Sequence, residues 1–331
     1  MSGAALLLLA LAGGPGLGAG ESPPPASIES RDAVRLAEAF SLMSEVQDDV
    51  WPGWSRAPVD LLLVEGEREY LLRSQAQPPR FAPAPDVAGL PGGVRVRGRS
   101  FPPAFLATFP AFGATPTIVV GTPEATGKRS TAWVLTLLHE HFHQLQYSDP
   151  AYIAETKALG LSGGDETGMW MLEYPFPYAA QSAAFAALAR RLADLVDAPS
   201  APGPETRAAF WADYAAFCAA LEPRDYRYLS LQLWQEGIAR YVELRAAEAA
   251  ARGHRVPAAF SKLHDYEPYA AAAASLRAGI VGGLRKETMA AEKRIVFYAF
   301  GAGLGLLLDQ EGVPWKDRYL REKFYLEKYR P

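Results

Sequence analysis

Hydrophobic residues recur at helical spacing in the first long segment after a Pro-rich spacer. From Ser30 to Val50, positions such as Val34, Met43 and Val46 fall on one face of a 3.6-residue period, and Trp51-Pro52-Gly53 ends the run. This pattern predicts a helix that packs one face on the body of the protein.

The pattern then changes to short apolar runs that are typical of strands. Val59 to Val64 and Glu69 to Leu72 flank a Gly-containing turn, which predicts a β-hairpin. The stretch 78–116 is rich in Pro, Gly and aromatic residues, so we predict loops there with one short strand near 94–97. Thr117 to Val120 is a β-branched run and predicts a further strand.

From Ser130 onward, Ala- and Leu-rich segments with helical periodicity dominate, and β-branched runs almost disappear. The fold class predicted is therefore α+β and predominantly helical. A small β-containing portion, residues 21–130, precedes a large helical portion, residues 131–331, and we expect the two to form one compact unit. Helices are predicted near 131–147, 178–197, 205–221, 226–252, 268–281 and 287–310.

The first 20 residues have the features of a secretory signal peptide. Ala4 to Ala12 is a continuous apolar run, followed by the small residues Gly18-Ala19-Gly20. Nine apolar residues are too few to span a bilayer as a helix, which takes about 20. We therefore predict cleavage near residue 20, export to the periplasm or the exterior, and no stable membrane anchor.

Composition excludes several classes of protein. The 331 residues are 49% hydrophobic and 21% charged, which is a globular rather than a disordered composition. The net charge of −4 gives no electrostatic reason to bind nucleic acid. The single cysteine, Cys218, excludes an intrachain disulfide and is expected to be a buried small residue. His254 and His264 fall in or near a loop and are expected to be solvated.

Three of the five histidines lie within five consecutive positions. The segment His139-Glu140-His141-Phe142-His143 fits the pattern HExxH. On a helix, His139 and His143 are four positions apart, so both rings project from one face and can bind one metal ion. Glu140 lies at the edge of that face and can reach a water molecule at the metal without being a ligand. Zinc fits such a site, with three protein ligands.

The backbone conformation of this segment determines which histidines share a metal. On a strand, His139, His141 and His143 would face one way and form a three-histidine site. The flanks favour a helix over 131–147, because apolar residues recur there at helical spacing over a run far longer than a typical strand. On this helix His141 lies about 200° from His139 and is expected to pack or form hydrogen bonds.

A third ligand must come from elsewhere, and Glu236 is the best candidate. The adjacent Gly237 lies inside a predicted helix, where glycine costs about 1 kcal/mol relative to alanine. A close approach by another backbone would explain that glycine, and packing against the helix that carries His139 and His143 would bring Glu236 to the metal. The rival ligands also follow His143; they are Glu173, Glu166 and Asp165.

These residues resemble the zincin metallopeptidases, and among them the gluzincin type, in which a glutamate on a second helix completes the zinc site. The resemblance covers residues 115–250 and rests on His139, Glu140, His143 and Glu236. It implies a zincin-like fold in which the two histidines and Glu236 bind zinc and Glu140 is the general base. It also implies that the strand at Thr117 to Val120 is the edge strand on which a peptide lies.

Hydrolysis also requires a donor to the developing oxyanion, for which the candidates are Tyr178 and Tyr241. Tyr174 and Arg240 are weaker alternatives, since Arg240 could instead orient Glu236. The sequence thus predicts a zinc-dependent hydrolase, with a peptide or protein as substrate. Two alternatives stay open: a zinc-dependent amide or ester hydrolase of non-peptide substrates, and a non-catalytic exported helical protein that binds metal.

Overall fold

The computed structural model describes residues 27–87, 89–90 and 92–330. The signal peptide predicted for residues 1–20 lies outside this range. Within it the fold is α+β and mostly helical, with a mixed six-stranded sheet, which confirms the predicted class. None of the helices in these ranges combines the length and apolar character that a membrane crossing requires.

The strands form a sheet with the order β3-β4-β2-β1-β6-β5. The predicted hairpin is confirmed, because β1 and β2 pair antiparallel with Leu61 opposite Leu72. Strand β6 pairs parallel with β1 on one side and antiparallel with β5 on the other. The strands are β1 Leu61–Glu65, β2 Arg68–Leu72, β3 Ala82–Pro83, β4 Val94–Gly98, β5 Leu106–Phe112 and β6 Thr115–Gly121.

Two predictions about this sheet were wrong. The sequence predicts loops at residues 106–112, but these residues form β5. The sequence also predicts that the strand at Thr117 to Val120 lies at the edge of the sheet, but this strand is β6, which lies between β1 and β5. Strand β5 forms this edge of the sheet, and β3 forms the other. The pattern of β5 was hidden because Pro110 interrupts the run and its pairing with β6 is irregular between Phe109 and Phe112. Proline is tolerated at an edge, where its missing N–H leaves no pairing unmade.

Most of the predicted helices agree with the structure to within a few residues. The predicted helix 287–310 is divided by a 3-10 turn, Lys293–Ile295, where the backbone of Lys293 has a positive φ. The predicted helix 226–252 is divided by one π-helical turn, Leu233–Gly237. The α-helices are α1 Ser30–Val50, α2 Pro123–Thr126, α3 Ser130–Ser148, α4 Tyr152–Ala158, α5 Trp170–Glu173, α6 Tyr178–Val196, α7 Pro204–Ala219, α8 Pro223–Gln232, α9 Ile238–Gly253, α10 Ala258–Ser261, α11 Tyr269–Lys286, α12 Met289–Glu292, α13 Val296–Glu311 and α14 Lys316–Tyr319.

The chain divides into two compact units. The first contains the described residues up to Gln47 together with Ser55–Leu145 and Gly253–Pro268. It therefore holds most of α1, the whole sheet and most of α3. The second contains Asp48–Trp54, Gln146–Arg252 and the chain from Tyr269 onward, and it is helical. This division differs from the sequence-derived boundary at residue 130, since the motif helix belongs mainly with the sheet.

In the first unit, hydrogen bonds attach α3 to the sheet. The indole nitrogen of Trp133 donates to the carbonyl of Gly121 at the end of β6, at 2.8 Å. Further along α3, the amide nitrogen of Gln144 donates to the carbonyl oxygens of Asp60 and Pro116, at 2.9 and 2.8 Å. All of these groups are buried, where an unmade hydrogen bond is costly. The bonds therefore fix the rotation of α3 and the direction of its side chains.

In the second unit, the π-helical turn and α13 cross at two glycines. A Cβ atom on Gly237 would lie 2.4 Å from the Cα of Gly301, so no side chain fits. The prediction that a backbone approaches Gly237 closely is confirmed, and that backbone belongs to α13. The expected packing against α3 is found just before Gly237, where the side-chain amide of Gln146 donates to the carbonyl oxygens of Gln235 and Trp234, at 3.0 and 3.5 Å. Helix packing also explains the run Gly301-Ala302-Gly303-Leu304-Gly305, which lies inside α13.

Candidate metal centre

His139, Glu140 and His143 form a buried cluster on α3 in the first unit. One ligand atom from each lies within 4.8 Å of the other two. Their exposed fractions are 6%, 3% and 5%, so the cluster is shielded from bulk water. The Nε2 atoms of the two histidines are 3.2 Å apart. Among the described residues, this is the group of three or more His, Cys, Asp and Glu side chains that can hold a metal ion.

The spacing of the two imidazoles fits a shared zinc ion. With zinc–nitrogen distances of about 2.0–2.1 Å in a tetrahedral site, two ligand nitrogens lie about 3.3 Å apart. The observed 3.2 Å between His139 Nε2 and His143 Nε2 is close to that value. The residues present therefore fit the metal, since two imidazoles of a helical i, i+4 pair already converge with a carboxylate beside them.

The helical prediction for this segment is confirmed, and the alternative strand is excluded. His141 faces away from the cluster, and its Nδ1 lies 2.9 Å from Gln144 Oε1. Burial lowers the pKa of His141 to about 4, so the ring is neutral at ordinary pH. The expectation that His141 packs or forms hydrogen bonds is borne out.

A carboxylate from another segment holds the beginning of α3. Asp265 accepts hydrogen bonds from the backbone N–H and the hydroxyl of Ser130, at 2.9 and 2.7 Å. Arg35, which is fully buried, donates to Ser130 Oγ at 2.7 Å and pairs with Asp32 and Glu124. A negative charge at a helix N-terminus is stabilising. This network fixes the end of α3 that precedes the cluster.

Thr108 is a residue of this site that sequence reasoning missed. It lies on the edge strand β5, and its hydroxyl donates to Glu140 Oε2 at 2.7 Å, with the backbone oxygen of Glu140 at 3.0 Å. No motif identifies it, because the contact depends on β5 pairing with β6 beside α3. The bond fixes the orientation of the carboxylate that follows the first histidine of the motif.

Glu236 lies in the second unit, in the π-helical turn Leu233–Gly237. Single π-helical turns inside α-helices occur frequently at functional sites. The side chain is half-buried, and its charge acts on Tyr298 and Arg294 at the beginning of α13. Its assignment as a metal ligand stays a prediction.

The rival acids have other surroundings. Glu173 is exposed at the end of the short α5, and the side chain of Glu166 is 86% exposed. Asp165 accepts hydrogen bonds from the hydroxyl and backbone of Thr167 and from the backbone of Trp170, which hold the pKa of Asp165 below its usual value. Each of the three therefore belongs to the surface of the second unit.

The predicted oxyanion donors differ in their surroundings. Tyr241 is fully buried, and its hydroxyl donates to Asp309 at 2.7 Å, so it has the position of a core residue. Tyr178 is partly exposed, with its hydroxyl 3.4 Å from that of Tyr228.

The weaker alternatives are also engaged. The hydroxyl of Tyr174 donates to Asp225 at 2.8 Å. Arg240 donates to the carboxylate of Glu243 at 2.6 Å. Both contacts are within the second unit and are typical of structural roles.

Two further residues beside Glu236 were not found from the sequence. Arg294 Nη1 donates to the hydroxyl of Tyr298 at 3.2 Å. Burial raises the pKa of Tyr298, and the nearby carboxylate of Glu236 raises it further, so the phenol keeps its proton. The only signal in the sequence was the four-residue spacing of Arg294 and Tyr298. The helical pattern alone did not distinguish this pair from other pairs with the same spacing.

Comparisons with protein-family models, with curated proteins and with solved structures find no significant match to this chain.

Proposed function

We propose that this protein is a zinc-dependent hydrolase that cleaves peptide bonds. The observation that carries the proposal is the convergence of two imidazole nitrogens at 3.2 Å, with a buried carboxylate in the same cluster. The helical HExxH arrangement supplies two ligands and one acid in the order that metal-assisted hydrolysis needs. The zincin resemblance of the sequence points to the same chemistry.

In this proposal His139, His143 and Glu236 hold the zinc. When bound, zinc supplies Lewis-acid polarisation of the scissile carbonyl and makes water a better nucleophile. Glu236 is preferred over Glu173 because it is half-buried in a π-helical turn, whereas Glu173 is exposed on a short helix.

Glu140 acts as the general base and then as the general acid. Its carboxylate takes a proton from the attacking water and delivers a proton to the leaving amine. The hydrogen bond from Thr108 holds one carboxylate oxygen, Oε2, so the other is the atom available for this transfer. Burial of the cluster limits competing water and strengthens the local electrostatics.

The preference for a peptide is supported by the position of Thr108. Strand β5 is a sheet edge, and it carries the residue that contacts the general base. An extended peptide can add to such an edge through main-chain hydrogen bonds. A small ester or amide would gain nothing from that edge.

Zinc content tests the proposed ligands. We expect the purified chain to hold close to one zinc per molecule after mild chelation, measured by elemental mass spectrometry. His139→Ala and His143→Ala should each weaken zinc binding by more than about 100-fold in a chelator competition. His264→Ala is the matched control, since that side chain is 82% exposed. If His139→Ala and His143→Ala both bound zinc as tightly as the wild-type protein, the proposed site would be contradicted.

Glu236→Ala tests the third ligand separately. Loss of zinc with retained folding, judged by circular dichroism, supports Glu236. Retained zinc would reject it and direct the same test to Glu173→Ala. The substrate is tested with zinc-loaded protein on a mixture of unblocked and blocked peptides beside small acyl esters and amides. Cleavage of the esters and amides alone would contradict the peptide assignment.

A further inference from the structure

Arg294 is a buried cation beside the proposed ligand Glu236. It lies in the 3-10 helix Lys293–Ile295, directly before α13, and only 9% of the residue is exposed. Its guanidinium carries five N–H donors in one plane. One of them donates to the hydroxyl of Tyr298 at 3.2 Å, and the Cζ atom lies 5.8 Å from the centre of that ring.

The charge of Arg294 has no carboxylate in direct contact. Across residues 27–87, 89–90 and 92–330, Arg294 forms no ion pair. The guanidinium is charged at ordinary pH, because arginine is not deprotonated in proteins. Buried arginines are almost always paired, because an isolated charge loses its hydration. This guanidinium therefore has donors left for an anion.

Aromatic rings surround this charge. Tyr178 and Tyr228 are close enough for the charge of Arg294 to act on both phenols. Phe297 contacts the same two rings, with centroid separations of 6.1 and 6.2 Å. The hydroxyl of Tyr228 already donates to the carbonyl of Met171 at 2.8 Å. The apolar rings strengthen the field of the guanidinium.

We propose that Arg294, oriented by Tyr298, binds the terminal carboxylate of a peptide substrate. The inference rests on the proposed function, because a zinc ion on Glu236 would neutralise the negative charge that now acts on Arg294. A planar guanidinium matches a carboxylate with two parallel hydrogen bonds. A single buried positive charge balances a monoanion better than a dianionic phosphate. The aromatic rings suit an apolar terminal residue. The enzyme would then remove residues from the carboxyl end of peptides.

Binding to a variant without turnover tests this. Zinc-loaded Glu140→Gln protein is titrated calorimetrically with N-acetyl-alanyl-phenylalanine and with its C-terminal amide. We expect the acid to bind about ten- to hundredfold more tightly than the amide. Adding Arg294→Met should remove that preference, whereas Arg190→Met, an exposed arginine of α6, should leave it unchanged. Equal binding of acid and amide to the parent protein would overturn the proposal.

Two further arms keep the test decisive. If Arg294→Met does not fold, Tyr298→Phe removes only the hydroxyl that orients the guanidinium, and it should reduce the preference for the acid several-fold. The active protein gives a further check. If Arg294→Met lowered kcat equally for the acid and the amide and left their binding unchanged, Arg294 would act on the oxyanion. That result would overturn carboxylate recognition. If the chain binds no zinc, the proposed function fails, while the titration still reports whether Arg294 selects a carboxylate.

Discussion

The hydroxyl of Thr108 lies 2.7 Å from Oε2 of Glu140. The two residues are 32 positions apart, on the edge strand β5 and on α3. Both belong to the first unit, so the sheet that supports α3 also orients the side chain proposed as the general base. The Thr108 hydroxyl has one proton, and it can reach both the backbone oxygen and Oε2 of Glu140. The carboxylate oxygen is the stronger acceptor, so the hydroxyl donates to Oε2.

Replacing Thr108 by valine keeps the shape of the side chain but removes the hydrogen bond. We expect kcat for peptide hydrolysis to fall about ten- to hundredfold, since a bond to a charged group contributes about 1.5–3 kcal/mol. Zinc content should not change, because Thr108 is no ligand. Thr108→Ser should restore most of the rate, and Thr115→Val on β6 is a control. Equal losses in the valine and serine variants would indicate a packing role instead.

Replacing Glu140 by glutamine tests the general base. The amide is nearly isosteric and can still accept the hydrogen bond from Thr108, but it cannot take a proton. We expect zinc to stay bound and kcat to fall about 10²- to 10⁴-fold, measured by single-turnover cleavage of a peptide. A variant with unchanged turnover would remove Glu140 from the mechanism, and one that loses zinc would show that Glu140 is a ligand.

His254 joins two acidic residues of α1, contrary to the expectation that it is solvated. Its side chain is 1% exposed, with Nε2 3.0 Å from Glu38 and Nδ1 2.6 Å from Glu45. The hydrogen bond to Glu38 raises the pKa of His254, and the bond to Glu45 adds to this against the opposing effect of burial. The phenol of Tyr266 also lies within electrostatic reach of Glu38. His264, by contrast, is exposed as expected.

This raised pKa gives a pH-dependent stability. The folded state binds the His254 proton more tightly than the unfolded chain, so the stabilisation is complete below the unfolded pKa of about 6.5. It is lost as the pH rises through the folded pKa. We expect His254→Gln to lower the free energy of unfolding by about 1–3 kcal/mol at pH 6, and by less at alkaline pH. Urea denaturation across that range measures it, with His264→Gln as control. A pH-independent difference would exclude the charged bridge.

The contact between Gly237 and Gly301 predicts a large effect of one methyl group. In Gly237→Ala the new Cβ would meet the backbone of α13, which cannot move as a side-chain end can. We expect the free energy of unfolding to fall by about 1–3 kcal/mol or more. In Gly279→Ala, on α11, the Cβ meets nothing within 4 Å, and helix propensity should stabilise the protein by up to about 1 kcal/mol. Thermal or urea denaturation of both variants makes the comparison, and equal effects would contradict the close crossing.

The sequence by itself determined the features that depend on neighbours along the chain. The period of apolar residues located α1 at Ser30–Val50 and the motif helix α3, and the Gly-containing turn located the β1–β2 hairpin. The i, i+4 spacing of His139 and His143 fixed their common face, because helix geometry sets it wherever the helix lies. The prediction that Cys218 is a small buried residue is met in part: the side chain is partly buried, and burial raises its pKa to about 12.

Tertiary structure alone decided which distant segments meet. Strand β5 exists because β6 offers it a partner, although Pro110 hides its pattern, and that pairing brings Thr108 to Glu140. The backbone closest to Gly237 is that of α13, while Gln146 of α3 bonds the preceding residues of the π-helical turn. His254 is buried beside carboxylates more than 200 residues away along the chain. Periodicity records which side of a segment is buried, but not which segment covers it, because apolar burial is non-directional and many partners satisfy the same pattern.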